Sequence, residues 1–159
     1  MKDGNMDVLI GEITKSISLL IKINEKYLSF SEKRNAFPDN FDLVVLAEII
    51  TDFYTCLETA FVRISKTFEN NLEKSRWHTN LLERMIIEIP GIRKALLTDR
   101  SYNLLKEIMR FRHFKTYYFE LEYDKDRIDF IEKKYNEVVP LVLQELELYI
   151  LFLQKLNGL

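Results

Sequence analysis

The residues best suited to chemistry lie in one short stretch, RFRHFKTYYFELEYD, at positions 110–124. Basic or imidazole side chains occupy four of its first six positions, phenylalanines lie between them, and three aromatic residues follow. Cationic side chains bind phosphate, and an imidazole can transfer protons near neutral pH. The stretch therefore fits a nucleic-acid site, a catalytic motif, or a packed helix whose polar face is basic.

Helical geometry divides this stretch between two faces. Consecutive helical residues are turned by about 100°, so Arg110, His113 and Tyr117 share one face. Arg112 lies on another face, below Met109 at the end of an apolar stripe. An arginine in that position is either paired with a carboxylate or directed at an anion.

Internal pairing is the alternative explanation for these residues. Asp52 or Glu58 on an earlier helix could neutralise Arg112, as could the three carboxylates at the end of the stretch itself. By the same reasoning, His113 could be a partly buried histidine with satisfied hydrogen bonds, and the aromatic run 117–119 could belong to the core or to an interface. The residues alone leave both explanations open.

The sequence contains no motif for a zinc site, a phosphate-binding loop or a catalytic serine. His78 and His113 are 35 positions apart, and neither has a second ligand at the spacing of a zinc site. The glycines stand singly at positions 4, 11, 91 and 158, so a glycine-rich phosphate loop is excluded. No nucleophile elbow accompanies the histidines. We therefore predict neither a metal nor another cofactor.

Composition predicts a single helical domain that spans residues 1–159. Hydrophobic residues make up 47% and charged residues 30%, which is typical of a globular chain. Four glycines and three prolines allow few turns, so long helices are expected. The net charge of −2 and the pI near 5.8 give no overall attraction to nucleic acid. Any such role must be local.

Three features of the sequence predict a cytoplasmic protein. The single cysteine, Cys56, lies in an apolar helical stretch and predicts a buried free thiol in a reducing compartment. The N-terminal sequence does not have the pattern of a signal peptide. Charged or amide residues interrupt the apolar stretches 17–23 and 140–156, and neither reaches the roughly 20 apolar residues of a membrane span.

Apolar periodicity predicts an all-α, up-and-down bundle of four or five helices. Pro140 should kink the C-terminal helix near 136–139. The expected elements are a helix over 6–33, a second over 41–69 capped by Asp39 or Asn40, a loop at 70–75, a third from Trp77 to Pro90-Gly91, a fourth capped by Thr98, and a fifth capped by Asp124 or Asp126.

Four stretches, in this order and spacing, resemble one family. They are LAEIITDFYTCLETAFVRISKTF (46–68), WHTNLLERM (77–85), IPGIRKALLT (89–98) and LLKEIMRFRHFKTYYFELEYDKDRI (104–128), followed by the long apolar helix. The chain is similar to the HepT-like branch of the HEPN helical-bundle proteins. The resemblance implies a HEPN-like bundle and covers nearly the whole chain.

The resemblance also implies a function. HepT-like proteins are toxins of type VII toxin–antitoxin modules, paired with a minimal nucleotidyltransferase antitoxin of the MntA-like kind. They are metal-independent ribonucleases with an Arg, four to six residues, then His motif, usually continued as His-x-Tyr. The arginine stabilises charge on the phosphate and the histidine acts as acid or base. The antitoxin transfers AMP to the tyrosine of the motif.

Carried onto this chain, the family's arginine falls on Arg112, while Tyr117 stands at the histidine position and Phe119 at the tyrosine position. A phenol has a pKa of about 10, against about 6.5 for imidazole, so it is a weak base at neutral pH. His113 is therefore the candidate acid or base beside Tyr117. Because phenylalanine has no oxygen to modify, Tyr118 becomes the candidate adenylylation acceptor, with Tyr117 as the alternative.

The resemblance, with the local basic cluster, assigns RNA binding to Arg110 and Lys115. In a straight helix Arg112 and Tyr117 would be about 140° apart, so a homodimer through the motif-bearing helices is expected to complete the site. The function implied is a ribonuclease toxin with a variant motif. The alternatives are a catalytically degenerate bundle that docks a nucleotidyltransferase or a nucleotide, and a bundle without a site.

Overall fold

The structure, a computed structural model, describes residues 3–68 and 77–158 and contains five helices within them. No strand forms in these two ranges beyond an isolated bridge between Ile89 and Arg93. The prediction of an all-α bundle is confirmed. The helices are α1 (Asp3–Lys33), α2 (Asn40–Phe68), α3 (Trp77–Arg84), α4 (Asp99–Thr116) and α5 (Lys125–Leu156).

The four long helices bury their apolar faces in a common core. α1 packs along α2 and α5, and α4 packs on α5 and α2. The ring of Tyr135 on α5 lies edge-on to Tyr27 of α1 and Phe53 of α2, with centroids 4.8 and 5.2 Å away. The buried positions on α5 recur at intervals of three and four residues, as the sequence predicts, and α5 runs without interruption through Pro140.

Side-chain caps begin the helices where the sequence places them. Asp39 Oδ1 accepts a hydrogen bond from the Asp42 amide (3.0 Å), and the Asp42 carboxylate accepts one from the Asp39 amide (3.1 Å), so Asp39 rather than Asn40 caps α2. Thr98 caps α4 and Asp124 caps α5, both as expected. Each cap satisfies amides at a helix start that would otherwise lack partners.

The predicted end of the third helix is wrong. α3 ends at Arg84, and the chain then turns instead of continuing to Pro90. The reason lies downstream, because the Met85 carbonyl accepts the amides of Leu96 and Leu97, both at 2.9 Å, and is no longer available to a helix. The predicted loop at 70–75 and the side chains of Trp77 and His78 lie outside the described residues.

Two different helices hold the two ends of α4. At its start, Glu145 of α5 accepts hydrogen bonds from the amide (2.9 Å) and hydroxyl (2.8 Å) of Thr98 and from the Ser101 hydroxyl (3.0 Å). At its end, Arg112 and Lys115 form ion pairs with acids of α2. The stretch that begins at residue 110 starts on the exposed face of α4, before the second of these two ends.

The loop from α4 to α5 is fixed against the start of α2. Asn40 Nδ2 donates to the Leu121 carbonyl (2.6 Å), and its Oδ1 accepts from the Tyr123 amide (3.3 Å). Leu121 has a φ of 57°, a left-handed conformation that is unusual for leucine. Such a conformation persists only where the surrounding contacts hold it. Asn40 therefore keeps this loop in place.

Candidate functional site

An open cavity of about 860 Å³ lies along the exposed face of α4. Its lining side chains come from successive turns of the helix and from the residue directly after it, and three of them are basic. They are Lys106, Met109, Arg110, Arg112, His113, Thr116 and Tyr117. The cavity therefore brings together four of the predicted site residues, Arg110, Arg112, His113 and Tyr117.

Arg112 lies at the junction of this cavity and α2. Its Nη1 and Nη2 donate to the two carboxylate oxygens of Glu58 at 3.0 and 2.8 Å, and Nη1 also donates to the Thr55 hydroxyl at 3.3 Å. The guanidinium carbon lies 4.8 Å from the centroid of the Tyr54 ring. A two-point arginine–carboxylate pair fixes the plane of the guanidinium. Side chains of α2 thus fix the orientation of the Arg112 guanidinium.

The expected internal carboxylate partner of Arg112 is Glu58, which is 6% exposed. Asp52, the other candidate, lies on the exposed side of α2. Partial burial, followed by the charge of Glu48, raises the pKa of the Asp52 carboxyl. Burial also raises the pKa of the Tyr54 phenol, so this ring stays neutral beside Arg112. Internal pairing of Arg112 is thus observed, and the same side chain also lines the cavity.

His113 is exposed and lies at the cavity wall, so the alternative of a partly buried histidine is wrong. The reason is the register of α4, whose buried positions include Leu104, Ile108 and Phe111. The His113 ring contacts the ring of Tyr117 edge-on, with centroids 5.3 Å apart. The imidazole is therefore free to meet a ligand while one aromatic neighbour limits its rotation.

The helix ends before the second half of the predicted motif. Thr116 is the last residue of α4, and Tyr117 follows as its C-cap with φ −108° and ψ 7°. The Tyr117 ring still contacts His113, one turn earlier in the chain, and Tyr117, 69% exposed, lines the same cavity as Arg112 within one chain.

Tyr118 and Lys115 do not line the cavity. The Tyr118 ring stacks on Phe114 with centroids 4.8 Å apart, and its hydroxyl donates to the Glu122 carbonyl at 2.6 Å. Desolvation and the nearby glutamates raise the pKa of Tyr118. Lys115 Nζ pairs with Glu48 of α2 at 2.5 Å. The run 117–119 is thus divided, since Tyr118 packs against the core cluster while its neighbours are exposed.

Sequence reasoning missed three residues of this site. Lys106 lies seven positions before His113, and the same periodicity that grouped Arg110 with His113 could have found it. Tyr54 and Thr55 contact Arg112 from α2, and no spacing within the motif indicates them. Contacts between helices are fixed by packing, which one sequence does not reveal.

Residues 3–68 and 77–158 contain neither a cluster of metal ligands nor a membrane-spanning helix. Within these ranges, no three histidine, cysteine or acidic side chains come together as ligands for a metal ion. The same ranges contain no helix with the length and apolarity needed to cross a bilayer.

Comparison with known proteins identifies the family. No curated protein and no solved structure is similar enough to this chain to count as a match. A family profile described as "HepT-like protein" matches residues 45–153, from the first turns of α2 almost to the end of α5. The matched region contains Glu58 and the residues that line the cavity. This chain belongs to the HepT-like protein family.

Proposed function

We propose that this protein is the toxin of a HepT-like toxin–antitoxin module and that it cleaves RNA without a metal ion. The observation that carries the proposal is the cavity on α4, which gathers Arg112, His113 and Tyr117 beside two further cations. Phosphate binding requires such cations, and transfer of the phosphoryl group requires a proton acceptor and a proton donor nearby. The cavity offers all three.

The proposed reaction is an internal transesterification of RNA. The 2′-oxygen attacks the adjacent phosphorus, its proton passes to the His113 imidazole, and the bond from phosphorus to the 5′-oxygen breaks. The Tyr117 phenol can donate a proton or a hydrogen bond to the leaving oxygen, a role that suits a neutral phenol better than that of a base. Arg112 stabilises the charge that develops on the phosphate.

Glu58 has a defined part in this mechanism. Its two-point pair holds the guanidinium of Arg112 in one orientation at the cavity. The pair also reduces the net charge at this position. Attraction of RNA therefore depends on Lys106 and Arg110 in the cavity, and Lys115 is proposed to act only at its edge.

The partners follow from the family. The resemblance implies a homodimer through the α4 helices and an MntA-like nucleotidyltransferase antitoxin. A two-fold axis would place two copies of the cavity side by side. As the acceptor of AMP, Tyr117 is better placed than Tyr118, because its hydroxyl-bearing ring is exposed whereas the Tyr118 hydroxyl already donates to Glu122.

Cleavage of purified tRNA and mRNA in EDTA tests the proposal. Wild type should cleave, and Arg112→Ala should reduce the rate at least about 100-fold, a typical loss for one charge-stabilising donor. Arg100→Ala, which removes an exposed arginine at the other end of α4, is the matched control and should cleave like wild type. Full activity of Arg112→Ala would overturn the assignment of the site.

A catalytically degenerate binding module is the second candidate function. The observation in its favour is the replacement of the motif histidine by Tyr117, together with the Glu58 pair that neutralises Arg112. If wild type does not cleave RNA but Tyr117→His does, the scaffold is intact and lacks only its catalyst. The protein would then act through its nucleotidyltransferase partner alone.

A further inference from the structure

The most exposed large apolar side chains in the described part of the chain lie together at one end of the bundle. Phe37, Phe41 and Phe119 are 90%, 80% and 84% exposed, and Leu121 is 52% exposed. We call residues 35–42 and 117–124 the aromatic end. Single exposed apolar residues are common, but a group of this kind marks an interaction surface.

The two segments of the aromatic end are joined through Asn40. Its side chain bonds the backbone of Leu121 and Tyr123, while Phe41 is its neighbour in sequence. Leu121 is kept in a left-handed conformation in the same loop. The exposed rings are therefore presented on a defined backbone, and little ordering of that backbone is needed when a partner binds.

The charge of the aromatic end is entirely negative. Its two segments contain five acidic residues and no basic residue: Asp39, Asp42, Glu120, Glu122 and Asp124. Among the basic residues that flank it, Arg34 forms a two-point pair with Glu132, Lys125 pairs with Asp129 at 2.8 Å, and Arg127 lies over the Phe114 ring. Exposed phenylalanines with acidic neighbours are what this surface offers a partner.

We propose that the aromatic end docks the nucleotidyltransferase partner through an apolar patch bordered by lysine and arginine side chains. This inference rests on the proposed function for the identity of the partner. The chemistry of the contact comes from the exposed rings and the carboxylates of the aromatic end. Aromatic anchors inside a charged rim are the arrangement of a protein interface. Because Tyr117 borders both the aromatic end and the cavity, a partner docked here reaches the rim of the cavity.

The negative charges of the aromatic end disfavour two other possible partners, a second copy of this chain and RNA. A second copy of this chain in a two-fold contact would place the five carboxylates of one protomer against the same five of its partner, and like charges in an interface are costly. RNA is repelled for the same reason. The complementary surface must therefore be basic and belong to a protein.

The test mixes this chain with the proposed MntA-like nucleotidyltransferase in titration calorimetry. Phe41→Ser/Phe119→Ser should weaken the complex by about 30-fold or more, the loss expected for truncating central aromatic anchors. Glu120→Gln/Glu122→Gln should weaken it by a smaller factor that disappears at high salt. Because Phe41 and Phe119 are exposed, their variants should unfold at the wild-type temperature and should cleave RNA as wild type does.

The matched control is Leu148→Ser/Leu151→Ser, which removes two half-exposed leucines from α5 and should bind like wild type. A wild-type complex that the aromatic variants leave unchanged would overturn the docking surface and leave the toxin–antitoxin assignment intact. Failure of wild type to form any complex would overturn the partner as well, and RNA cleavage would then decide the toxin function separately.

A crosslink identifies the occupant directly. Benzoylphenylalanine placed at position 119 should, on irradiation of the mixture, attach to a nucleotidyltransferase peptide that is apolar and flanked by lysine or arginine. Attachment only to a second copy of this chain, or to added RNA, would overturn the proposal.

Discussion

The cavity and the aromatic end meet at Tyr117 and are built in opposite ways. The cavity lies on a regular helix, carries basic side chains, and is supported on the side of α2 by the partly buried pair of Arg112 and Glu58. The aromatic end consists of loop and helix-start residues, is acidic, and exposes its phenylalanines. The chain changes the sign of its charge within a few residues of Thr116, where α4 ends.

Helix termini explain part of this contrast. Cations are favourable near a helix C-terminus and anions near an N-terminus, so the bases in the last turn of α4 and the aspartates that begin α2 and α5 have structural reasons to be there. That reasoning does not cover Lys106 and Arg110, which precede the last turn, or Glu120 and Glu122, which lie between helices. For these four residues we propose a binding function instead.

The largest loss of stability should come from removing the ion pair of Arg112 and Glu58 that supports the cavity. Arg112→Ala removes the two-point partner of the buried Glu58 carboxylate and should lower the free energy of unfolding by about 3 kcal/mol. Phe119→Ala, at the aromatic end, should change it by less than about 0.5 kcal/mol because that ring is exposed. Urea unfolding measures both, and similar losses for the two variants would contradict the contrast in construction.

A smaller loss of stability should follow from removing the Asn40 hydrogen bonds that hold the loop of the aromatic end. Asn40→Ala removes two hydrogen bonds to the loop backbone and should reduce the free energy of unfolding by about 2 kcal/mol, at about 1 kcal/mol for each bond. Amide exchange should increase around Leu121 and remain unchanged in the middle of α4. Asn35→Ala, at an exposed position nearby, is the control. Equal exchange in both variants would show that Asn40 does not hold the loop.

The smallest effect concerns the salt dependence of RNA binding. Each phosphate contact to a single strand contributes about 0.7 to the slope of log K against log salt. Lys106→Ala/Arg110→Ala should therefore reduce that slope by about 1.4, while Glu120→Gln/Glu122→Gln should leave it unchanged. Filter binding in EDTA with a 2′-deoxy substrate measures the slope without cleavage. An equal change in the two double variants would remove the functional distinction between the regions.

Local signals in the sequence were sufficient for most of the fold. Periodicity predicted the helices, and the caps at Asp39, Thr98 and Asp124 were recognisable because capping chemistry acts within a few residues. The end of α3 was misplaced because the Met85 carbonyl accepts amides 11 and 12 residues downstream. A non-local hydrogen bond of this kind leaves no periodic trace.

The site was predictable to a similar degree. Arg112 and its partner Glu58 were both singled out from the sequence, and the cavity adds His113 and Tyr117 to them. The error lay in extending the helix through Tyr117, since nothing in the run YYF marks Thr116 as the last helical residue. Tyr54 was invisible because it reaches Arg112 from another helix.

The two attachments of α4 have a mechanical consequence. The helix has 18 residues and is about 27 Å long. Its first residues are bonded to α5 through Glu145, and its last turns are bonded to α2 through Glu58 and Glu48. A helix fixed to two different bodies tilts when one slides against the other. Any binding event that displaces α5 relative to α2 would therefore tilt α4 as a rigid lever and reposition Arg112 in the cavity.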